Sequence, residues 1–392
     1  MRPLEGMTVV ALEQAVAAPF ATRQFADLGA RIIKIERPGP GDFARAYDEN
    51  VRGMSAYFVW LNRGKESLTL DLKHPGGREV MERLVGCADV FIQNLAPGAA
   101  ERLGLGAGAL HPKYPGLVVC DISGYGDSGP YRDKKAYDLL IQSEAGLLSI
   151  TGTRDQPAKV GASVADICTG MYAYSGVLAA LLQRARTAKG SRVEVSMFEA
   201  LCEWMLQPLL FSHFTNKTIP RTGADHASIV PYGRFTGSDG RDVMMGIQNE
   251  REWASFCDKV LGSPELALDE RFNSNSRRLQ NREPLLAIVR QVFGSMTAAE
   301  LVERLESADI ANARMNEMPE VWNHPQLTAR GRWTQMGSPV GPLPVLRPPA
   351  THSDFDPVIG AVPAVGEHTE AILKELGYTS AQADALRAAK AI

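Results

Sequence analysis

Short apolar runs alternate with amphipathic stretches along the first half of the chain. Each run is typical of a strand in a buried sheet, and the runs are MTVVAL (7–12), RIIKIE (31–36), SLTLDL (67–72), DVFIQN (89–94) and GLVVCDIS (116–123). Amphipathic segments at 18–28 and 75–86 predict helices between them, and a further short helix ends near Leu103. Strands that alternate with helices at this spacing indicate a parallel α/β sheet.

The pattern changes character after about residue 217. Up to that point the remaining predicted elements are helices over 136–150, 163–185 and 198–214 and a strand at 191–197. Beyond it, 232–247 predicts a hairpin that turns at Asp239 and Gly240. The helices predicted after the hairpin are 250–261, 283–295 and 298–307.

These patterns divide the chain into three parts. Residues 1–217 are expected to form a large α/β domain, and residues 218–325 a small α+β domain. Residues 326–392 are expected to be a linker and a C-terminal segment that returns to the large domain. The prolines from Pro339 onward favour an extended course over other surfaces, before a final helix at 367–376.

Composition excludes several function classes. Of the 392 residues, 45% are hydrophobic and 22% charged, and the net charge is −3, so no global field attracts nucleic acid or anionic membrane. No apolar stretch of about eighteen residues is evident, so we expect no membrane span. Five scattered cysteines favour reduced thiols and a cytoplasmic location, and the seven dispersed histidines suggest no metal site.

Asp166 is the one acidic residue in the stretch from Lys159 to Ala185, which is otherwise mostly small, apolar or hydroxylated. Ser163 and Asp166 fit the capping-box pattern, in which the acid satisfies the free amides of the first helical turn. The alternative is a carboxylate nucleophile whose charge a helix N-terminus stabilises. The two interpretations are compatible.

The segment from Gly124 to Gly129 matches the GxGxxG pattern and follows a predicted strand. A dinucleotide site needs a helix to begin inside this motif, with its amides on the pyrophosphate. A polar connection from Pro130 to Lys135 follows instead, and GLGAG at 104–108 follows a short helix. Nicotinamide or flavin binding is therefore the weaker interpretation.

Several segments together resemble family III CoA-transferases, the group of formyl-CoA transferase and the carnitine CoA-transferases. They follow the family's order, and they are GARIIKIERPGPGD (29–42), LNRGKESLTLDLKHPGG (61–77), FIQNLAPGAAERLG (91–104), ISGYGDSGPY (122–131), AYDLLIQSEAGLLSITG (136–152), VGASVADICTGMYA (160–173) and VWNHPQLTARGRW (321–333). The resemblance implies a Rossmann-like large domain and a small domain in an interlocked homodimer. It also implies a coenzyme A thioester as substrate and no tightly bound cofactor.

Asp166 matches the catalytic aspartate of that family. The resemblance implies that Asp166 attacks an acyl-CoA thioester to give an aspartyl anhydride, which the released thiolate converts into an aspartyl-CoA thioester. An acceptor carboxylate then takes the coenzyme. Both intermediates remain activated, which suits a carboxylate nucleophile.

The coenzyme site is expected at the carboxyl ends of the strands, in the turns after residues 12, 36, 94 and 123. Its phosphates need cations in an otherwise acidic protein, and the candidates are Arg37, Lys73, Arg102 and Lys135. By resemblance, the residues that line the nucleotide and pantetheine path are Ala15, Val16, Leu70, Asn94 and Leu95. Tyr137 matches an aromatic residue beside the family's active site, although it could instead be a core residue at a helix start.

Two departures from the family bear on the substrate. Related racemases have a histidine base where this chain has Tyr137, so racemisation is disfavoured. The oxalate branch has a glycine-rich loop in the small domain, where this chain has Gln248 and Asn249 after the hairpin, so oxalate is disfavoured as well. A small dicarboxylate and a succinyl-CoA-like donor fit best, and Arg45, Gln248 or Asn249 could hold the distal carboxylate.

Three alternatives stay open from the sequence. Coenzyme A could move between two carboxylates of one molecule, which makes the enzyme an isomerase by outcome. The segment 124–129 could serve an NAD(P)-dependent oxidoreductase. Finally, the protein could bind coenzyme A without catalysis, with Asp166 acting only as a helix cap.

Overall fold

The computed structural model describes all residues from Met1 to Ile392, and the chain divides into two compact units. Unit 1 comprises 1–147, 160–207 and 327–392, and unit 2 comprises 148–159 and 208–326. This division ends at residue 207, where the sequence predicts a boundary at 217, and the excursion 148–159 into unit 2 was not predicted.

Unit 1 is built on one parallel sheet of six strands, which confirms the predicted α/β sheet. The strands are β1 (Thr8–Leu12), β2 (Arg31–Glu36), β3 (Lys65–Thr69), β4 (Val90–Gln93), β5 (Val118–Ser123) and β6 (Arg192–Ser196). Their spatial order is β3-β2-β1-β4-β5-β6, with Val10 of β1 opposite Ile33 on one side and Phe91 on the other. The strand order reverses between β1 and β4, and the crevice at such a point is where ligands bind in sheets of this type.

Helices cover both faces of this sheet, as parallel strands buried on two sides require. Those of the chain up to Trp204 are α1 (Ala17–Asp27), α2 (Ala56–Leu61), α3 (Pro75–Gly86), α4 (Ala99–Arg102), α5 (Ala107–Leu110), α6 (Asp138–Glu144), α8 (Val164–Thr187) and α9 (Met197–Trp204), whereas α7 (Leu147–Ile150) belongs mostly to unit 2. The predicted helix over 136–150 is broken at Gly146, whose φ of +81° ends α6.

The long helix α8 connects the β5 side of the sheet to β6 and packs against α1. Gly170 makes this close approach possible, because a Cβ at that position would lie 2.6 Å from the carbonyl oxygen of Ala17. At 24 residues α8 is also long and apolar enough to cross a membrane, so the expectation of no such stretch was wrong. Cys168, Ala173 and Val177 on α8 are fully buried within the protein.

Unit 2 has its own hydrophobic core around an antiparallel sheet. Its elements are β7 (Tyr232–Thr236), β8 (Asp242–Gly246), α11 (Glu250–Ser255), a π-helical turn (Phe256–Val260), α12 (Asn275–Gln280), α13 (Arg282–Phe293), α14 (Ala298–Ser307), β9 (Asn312–Arg314) and α15 (Met318–Trp322), and the boundaries along the chain fall within α10 (Leu206–Thr215) and α16 (Pro325–Ala329). The predicted hairpin is confirmed as β7 and β8, and Thr297 opens α14 in a capping box with Glu300. The third strand, β9, was not predicted.

The C-terminal segment belongs to unit 1 and contains more regular structure than its prolines indicate. Its elements are β10 (Trp333–Met336), β11 (Leu343–Leu346), α17 (Thr369–Glu375) and α18 (Ser380–Ala388). The first two pair as a hairpin, and Met336 and Leu343 pack with Phe58 of α2. Thr369, the first residue of α17, contacts the end of β3, where its hydroxyl accepts a hydrogen bond of 3.1 Å from the amide of Thr69.

Candidate active site

Asp166 is the third residue of α8, but it does not cap the helix as the sequence pattern suggested. Ser163, the residue before the helix, makes no capping hydrogen bond with its side chain. Asp138, the first residue of α6, caps the N-terminus of α8 instead. Its Oδ1 accepts hydrogen bonds from the amides of Ala165 at 2.8 Å and Asp166 at 3.3 Å. The capping-box interpretation was therefore wrong, and an aspartate from another helix satisfies the N-terminus of α8.

The carboxyl group of Asp166 is partly buried and has no hydrogen bond or ion pair within the chain. Burial, reinforced by the nearby Asp138 carboxylate, raises the pKa of Asp166 to about 7. Tyr47 lies within electrostatic range of the same group. Burial first, and then Asp42 and Asp166, raise the pKa of Tyr47 to about 12. Asp166 is thus a carboxylate that the protein leaves without a counter-ion.

Asp138 is held in place by Gln142, one turn later on α6. The side-chain amide of Gln142 donates to Oδ2 of Asp138 at 2.7 Å, and its oxygen accepts from the amide of Val160 at 2.9 Å. Gln142 is fully buried, so this bridge ties the loop before α8 to α6. The sequence analysis missed both residues, although their spacing of four positions on a predicted helix puts them on one face.

The turn between β1 and α1 lies at the reversal point of the sheet. Ala15 has a φ of +61°, and its amide donates to Oδ1 of Asp42 at 3.2 Å. The side chain of Asn94, after β4, accepts from the amide of Gln14 at 2.9 Å and donates to its carbonyl at 2.8 Å. Asn94, predicted to line the coenzyme path, therefore holds this turn with its amide group. Val16, predicted with Ala15, is buried directly before α1.

A buried group of four charges lies beneath this turn, and the sequence analysis did not anticipate it. Lys34 lies 2.8 Å from Asp42 and 3.3 Å from Glu13, and Lys65 lies 2.6 Å from the same Glu13 oxygen. All four side chains are buried, and their formal charges cancel. Burial lowers the pKa of Lys65 to about 7 against the attraction of Glu13. The group fixes the floor of the reversal point.

A cavity of about 360 Å³ opens at the carboxyl ends of the strands in unit 1. The structure brings five of the predicted coenzyme residues together on its walls, namely Arg37, Leu70, Lys73, Leu95 and Arg102. Three of them are cations, and the remaining wall includes apolar side chains such as Leu12, Ile35 and Leu103. Cations beside an apolar cleft suit a ligand that carries phosphates on an organic body.

The other five predicted coenzyme residues lie outside that cavity wall, namely Ala15, Val16, Asn94, Lys135 and Tyr137. Lys135 is exposed, and Tyr137 is 66% exposed directly before α6, so it is not a core residue. Arg45 forms two short hydrogen bonds with Glu36, at 2.7 and 2.8 Å, and stacks over the ring of Phe58 at 3.7 Å. Its guanidinium is paired with this buried carboxylate, so Arg45 is less available to a distal carboxylate of the substrate than the sequence indicated.

The two predicted substrate residues of unit 2 have different environments. Asn249 caps α11, since its side chain accepts from the amide of Glu252 at 2.9 Å and donates to that residue's carboxylate at 2.7 Å. Gln248 is exposed, and its side chain makes no hydrogen bond within the chain. The sequence alone could not distinguish these two amides.

The GxGxxG segment has no amides available for a pyrophosphate at its centre. The amide of Gly126 donates to the hydroxyl of Ser123, and that of Asp127 donates to the carboxylate of Glu194, both at 2.9 Å. No helix begins within the motif, because the next helix is α6. The dinucleotide hypothesis thus loses its structural basis.

Comparison with known proteins covers nearly the whole chain. Residues 4–369 match the family described as CoA-transferase family III. The succinyl-CoA:glutarate CoA-transferase of Mus musculus is 34% identical over 380 residues, which is 96% of this chain and 87% of that protein. The acetyl-CoA:oxalate CoA-transferase of Acetobacter aceti is 35% identical over 342 residues and 87% of each chain.

A comparison of the fold with solved structures gives the same relationship. The crystal structure of a CAIB/BAIF family protein from Brucella suis superimposes with a TM-score of 0.85 at 35% identity, covering 96% of this chain and 99% of that one. The parallel sheet and the cavity at its strand ends agree with this relationship. The chain belongs to CoA-transferase family III and is a CoA-transferase.

Proposed function

We propose that the protein moves coenzyme A from a short acyl-CoA, such as succinyl-CoA, to a small dicarboxylic acid, with Asp166 as the nucleophile. The observation that carries this proposal is the carboxyl group of Asp166, partly buried without a cation or hydrogen-bond donor. Burial and Asp138 raise its pKa to about 7, so near neutral pH a substantial fraction is ionised and poorly solvated. The names of several relatives, among them transferases for glutarate and D-citramalate, support the substrate class.

The first half of the reaction loads the enzyme. A carboxylate oxygen of Asp166 attacks the carbonyl carbon of the donor thioester, the C–S bond breaks, and the electron pair leaves on the coenzyme A thiolate. The product is a mixed anhydride between Asp166 and the donor acyl group. The thiolate then attacks Cγ of Asp166, the donor acid leaves as a carboxylate, and an aspartyl-CoA thioester remains.

The second half runs the same chemistry in the opposite sense. The acceptor carboxylate attacks Cγ of the aspartyl thioester and releases the thiolate, which gives a second mixed anhydride. The thiolate attacks the acceptor's acyl carbon, so that acceptor-CoA forms and the carboxylate of Asp166 is restored. No proton, electron or water is consumed, and exclusion of water protects both intermediates.

Three groups of residues support this chemistry. Asp138 and Gln142 keep the first turn of α8 in place and so fix the position of Asp166. Arg37, Lys73 and Arg102 bind the phosphates of coenzyme A in the cavity of unit 1. Gln248 has a free side-chain amide and is the group that we retain for the distal carboxylate of the acceptor.

The acceptor is best tested with a panel that includes oxalate. A relative that acts on oxalate is as similar to this chain as the glutarate enzyme is. Our preference for a longer dicarboxylate rests on the segment around Gln248, which lacks a glycine-rich loop. Turnover with oxalate exceeding that with glutarate, citramalate and malate would overturn this preference while leaving the nucleophile intact.

We further propose that the protein is a homodimer. The support is the number of large apolar side chains exposed on single helices, including Leu182 on α8 (69%), Trp204 on α9 (51%) and Phe214 on α10 (77%). Such side chains are usually covered in an assembly. Sedimentation velocity at micromolar concentration should give a dimer, and a single monomeric species would contradict the proposal.

The decisive experiment is intact-mass analysis after the protein is mixed with succinyl-CoA and hydroxylamine. Hydroxylamine attacks an anhydride or thioester at Cγ, so a hydroxamate should appear on the wild type and map by peptide sequencing to Asp166. Asp166→Asn is the matched control and should remain unmodified. If neither protein is modified with a panel of short acyl-CoA esters, or both are, Asp166 is not the nucleophile.

A further inference from the structure

A second cavity, in unit 2, has a lining dominated by arginine. It measures about 760 Å³, and its walls come from the excursion 153–154, the connection 221–225, strand β7 and helix α13. Its lining includes four arginines, Arg154, Arg221, Arg234 and Arg290. The lining has a single acidic residue, Asp225. In a protein with a net charge of −3, this concentration of positive charge is local to the cavity.

One of these arginines, Arg221, and the acidic residue, Asp225, already have hydrogen-bond or ion-pair partners within the chain. Arg221 donates to the carbonyls of Thr153 at 2.9 Å and Arg154 at 3.0 Å, which fixes the wall but leaves its charge uncompensated. Asp225 lies 3.0 Å from the guanidinium of Arg282, so an arginine outside the main cavity wall already neutralises its charge. The cavity thus keeps its positive character.

The other three guanidinium groups are available to a ligand. Arg154 forms no salt bridge within the chain. Arg234 and Arg290 approach Asp242 and Glu283 only at 3.6 Å, and both arginines remain more than half exposed. Short bidentate contacts of an arginine with a carboxylate lie at about 2.8 Å, so these two pairs do not saturate the donors.

We propose that this cavity binds a small polyanion that carries at least two phosphate or carboxylate groups. Guanidinium groups bind phosphates and carboxylates in a bidentate manner. Three available guanidinium groups in one cavity need a ligand with more than one negative charge. Phe235 is the only aromatic residue on the wall and is 5% exposed, so it offers no platform for stacking a base. This site is separate from the coenzyme cavity of unit 1, and it does not depend on the role of Asp166.

Calorimetric titration of the full-length protein tests the proposal, with pyrophosphate as the phosphate probe and citrate as the carboxylate probe. We expect at least one probe to bind, with an affinity that added salt weakens. The double substitution Arg234→Gln with Arg290→Gln should weaken it at least about tenfold, since two charge-assisted contacts are lost. Arg241→Gln is the matched control, because Arg241 is exposed on the same hairpin but outside the cavity wall, and should leave binding unchanged.

A third variant, Arg102→Gln, separates this cavity from the one in unit 1 and should retain binding. Binding of pyrophosphate alone would identify a phosphate ligand, and binding of citrate alone a polycarboxylate; each supports the site. The proposal is overturned if neither probe binds, if the double variant binds like the wild type while its circular dichroism is unchanged, or if Arg102→Gln alone abolishes binding.

Discussion

Replacing Asp166 by asparagine should make the protein more stable, and the gain should depend on pH. Ionisation of this carboxyl is unfavourable in the folded protein because it is partly buried beside Asp138 and has no counter-ion. Asparagine has nearly the same shape and no charge. Asp166→Asn therefore removes the source of the destabilisation while the hydrogen bonds that Asp138 accepts from the helix amides remain in place.

The magnitude follows from the pKa in the two states. Each pKa unit corresponds to about 1.4 kcal/mol, so a rise from 3.8 in the unfolded chain to about 7 in the folded protein corresponds to about 4 kcal/mol at most. Between these values the folded state binds more protons than the unfolded state, so the free energy of unfolding falls as pH rises. The difference between variant and wild type should be near zero at about pH 4, grow through pH 5 to 7 and then level off.

Paired thermal unfolding of the two proteins at about pH 4, 6 and 8 measures this difference. Asp133→Asn serves as the control for a change in overall charge, because that carboxylate is 77% exposed, and its effect should not grow with pH in the same way. If Asp166→Asn is no more stable than the wild type at about pH 8, or if its advantage does not vary with pH, the carboxyl of Asp166 is not the destabilised group that we describe.

Three further predictions concern single substitutions. The value of kcat/KM for succinyl-CoA should rise as pH increases through about 7, because Asp166 must be ionised to act as the proposed nucleophile. Asp138→Asn removes a neighbouring negative charge and should move this transition to lower pH; an unmoved transition would show that Asp138 does not raise the pKa of Asp166. Gly170→Ala places a methyl group 2.6 Å from a carbonyl oxygen of α1 and should lower the free energy of unfolding in urea by about 1–3 kcal/mol. Gly108→Ala, whose methyl group meets nothing within 4 Å, should not, and equal effects would contradict the close packing of α8 on α1. Lys65→Met leaves the buried Glu13 with one cation fewer and should lower the free energy of unfolding by about 3–5 kcal/mol in the same assay. Lys113→Met, which breaks an exposed pair, should change it little, and an equally small effect of Lys65→Met would show that the buried charges do not stabilise the fold.

The sheet and the convergence of cations at one of its edges could be predicted because both follow from local pattern and strand order. A run such as the one that forms β1 is apolar on both faces, and only a covered parallel strand buries both. Once the strands are parallel, their carboxyl ends share one edge, so Arg37, Lys73 and Arg102 converge although they are far apart in sequence. The convergence needed no information about side-chain contacts.

The environment of Asp166 could not be predicted, because it depends on how two helices dock. The capping-box pattern at Ser163 indicated a local cap, yet the cap comes from Asp138, 28 positions before Asp166. Competition between a local serine and a distant aspartate is decided by the packing of α6 against α8, which no local pattern encodes. The bridge through Gln142 depends on the same packing.

The contrast among the buried and partly buried carboxylates distinguishes Asp166, the nucleophile that we propose. Glu13 contacts two lysines, Glu36 is held by Arg45, and Asp138 accepts hydrogen bonds from two amides and a glutamine side chain. Each of these carboxylates has partners that favour its charged form and limit its reactivity. Asp166 has none, although it lies beside another carboxylate. An ionised oxygen without partners is the state in which a carboxylate is most nucleophilic, so Asp166 has the environment that the proposed chemistry requires.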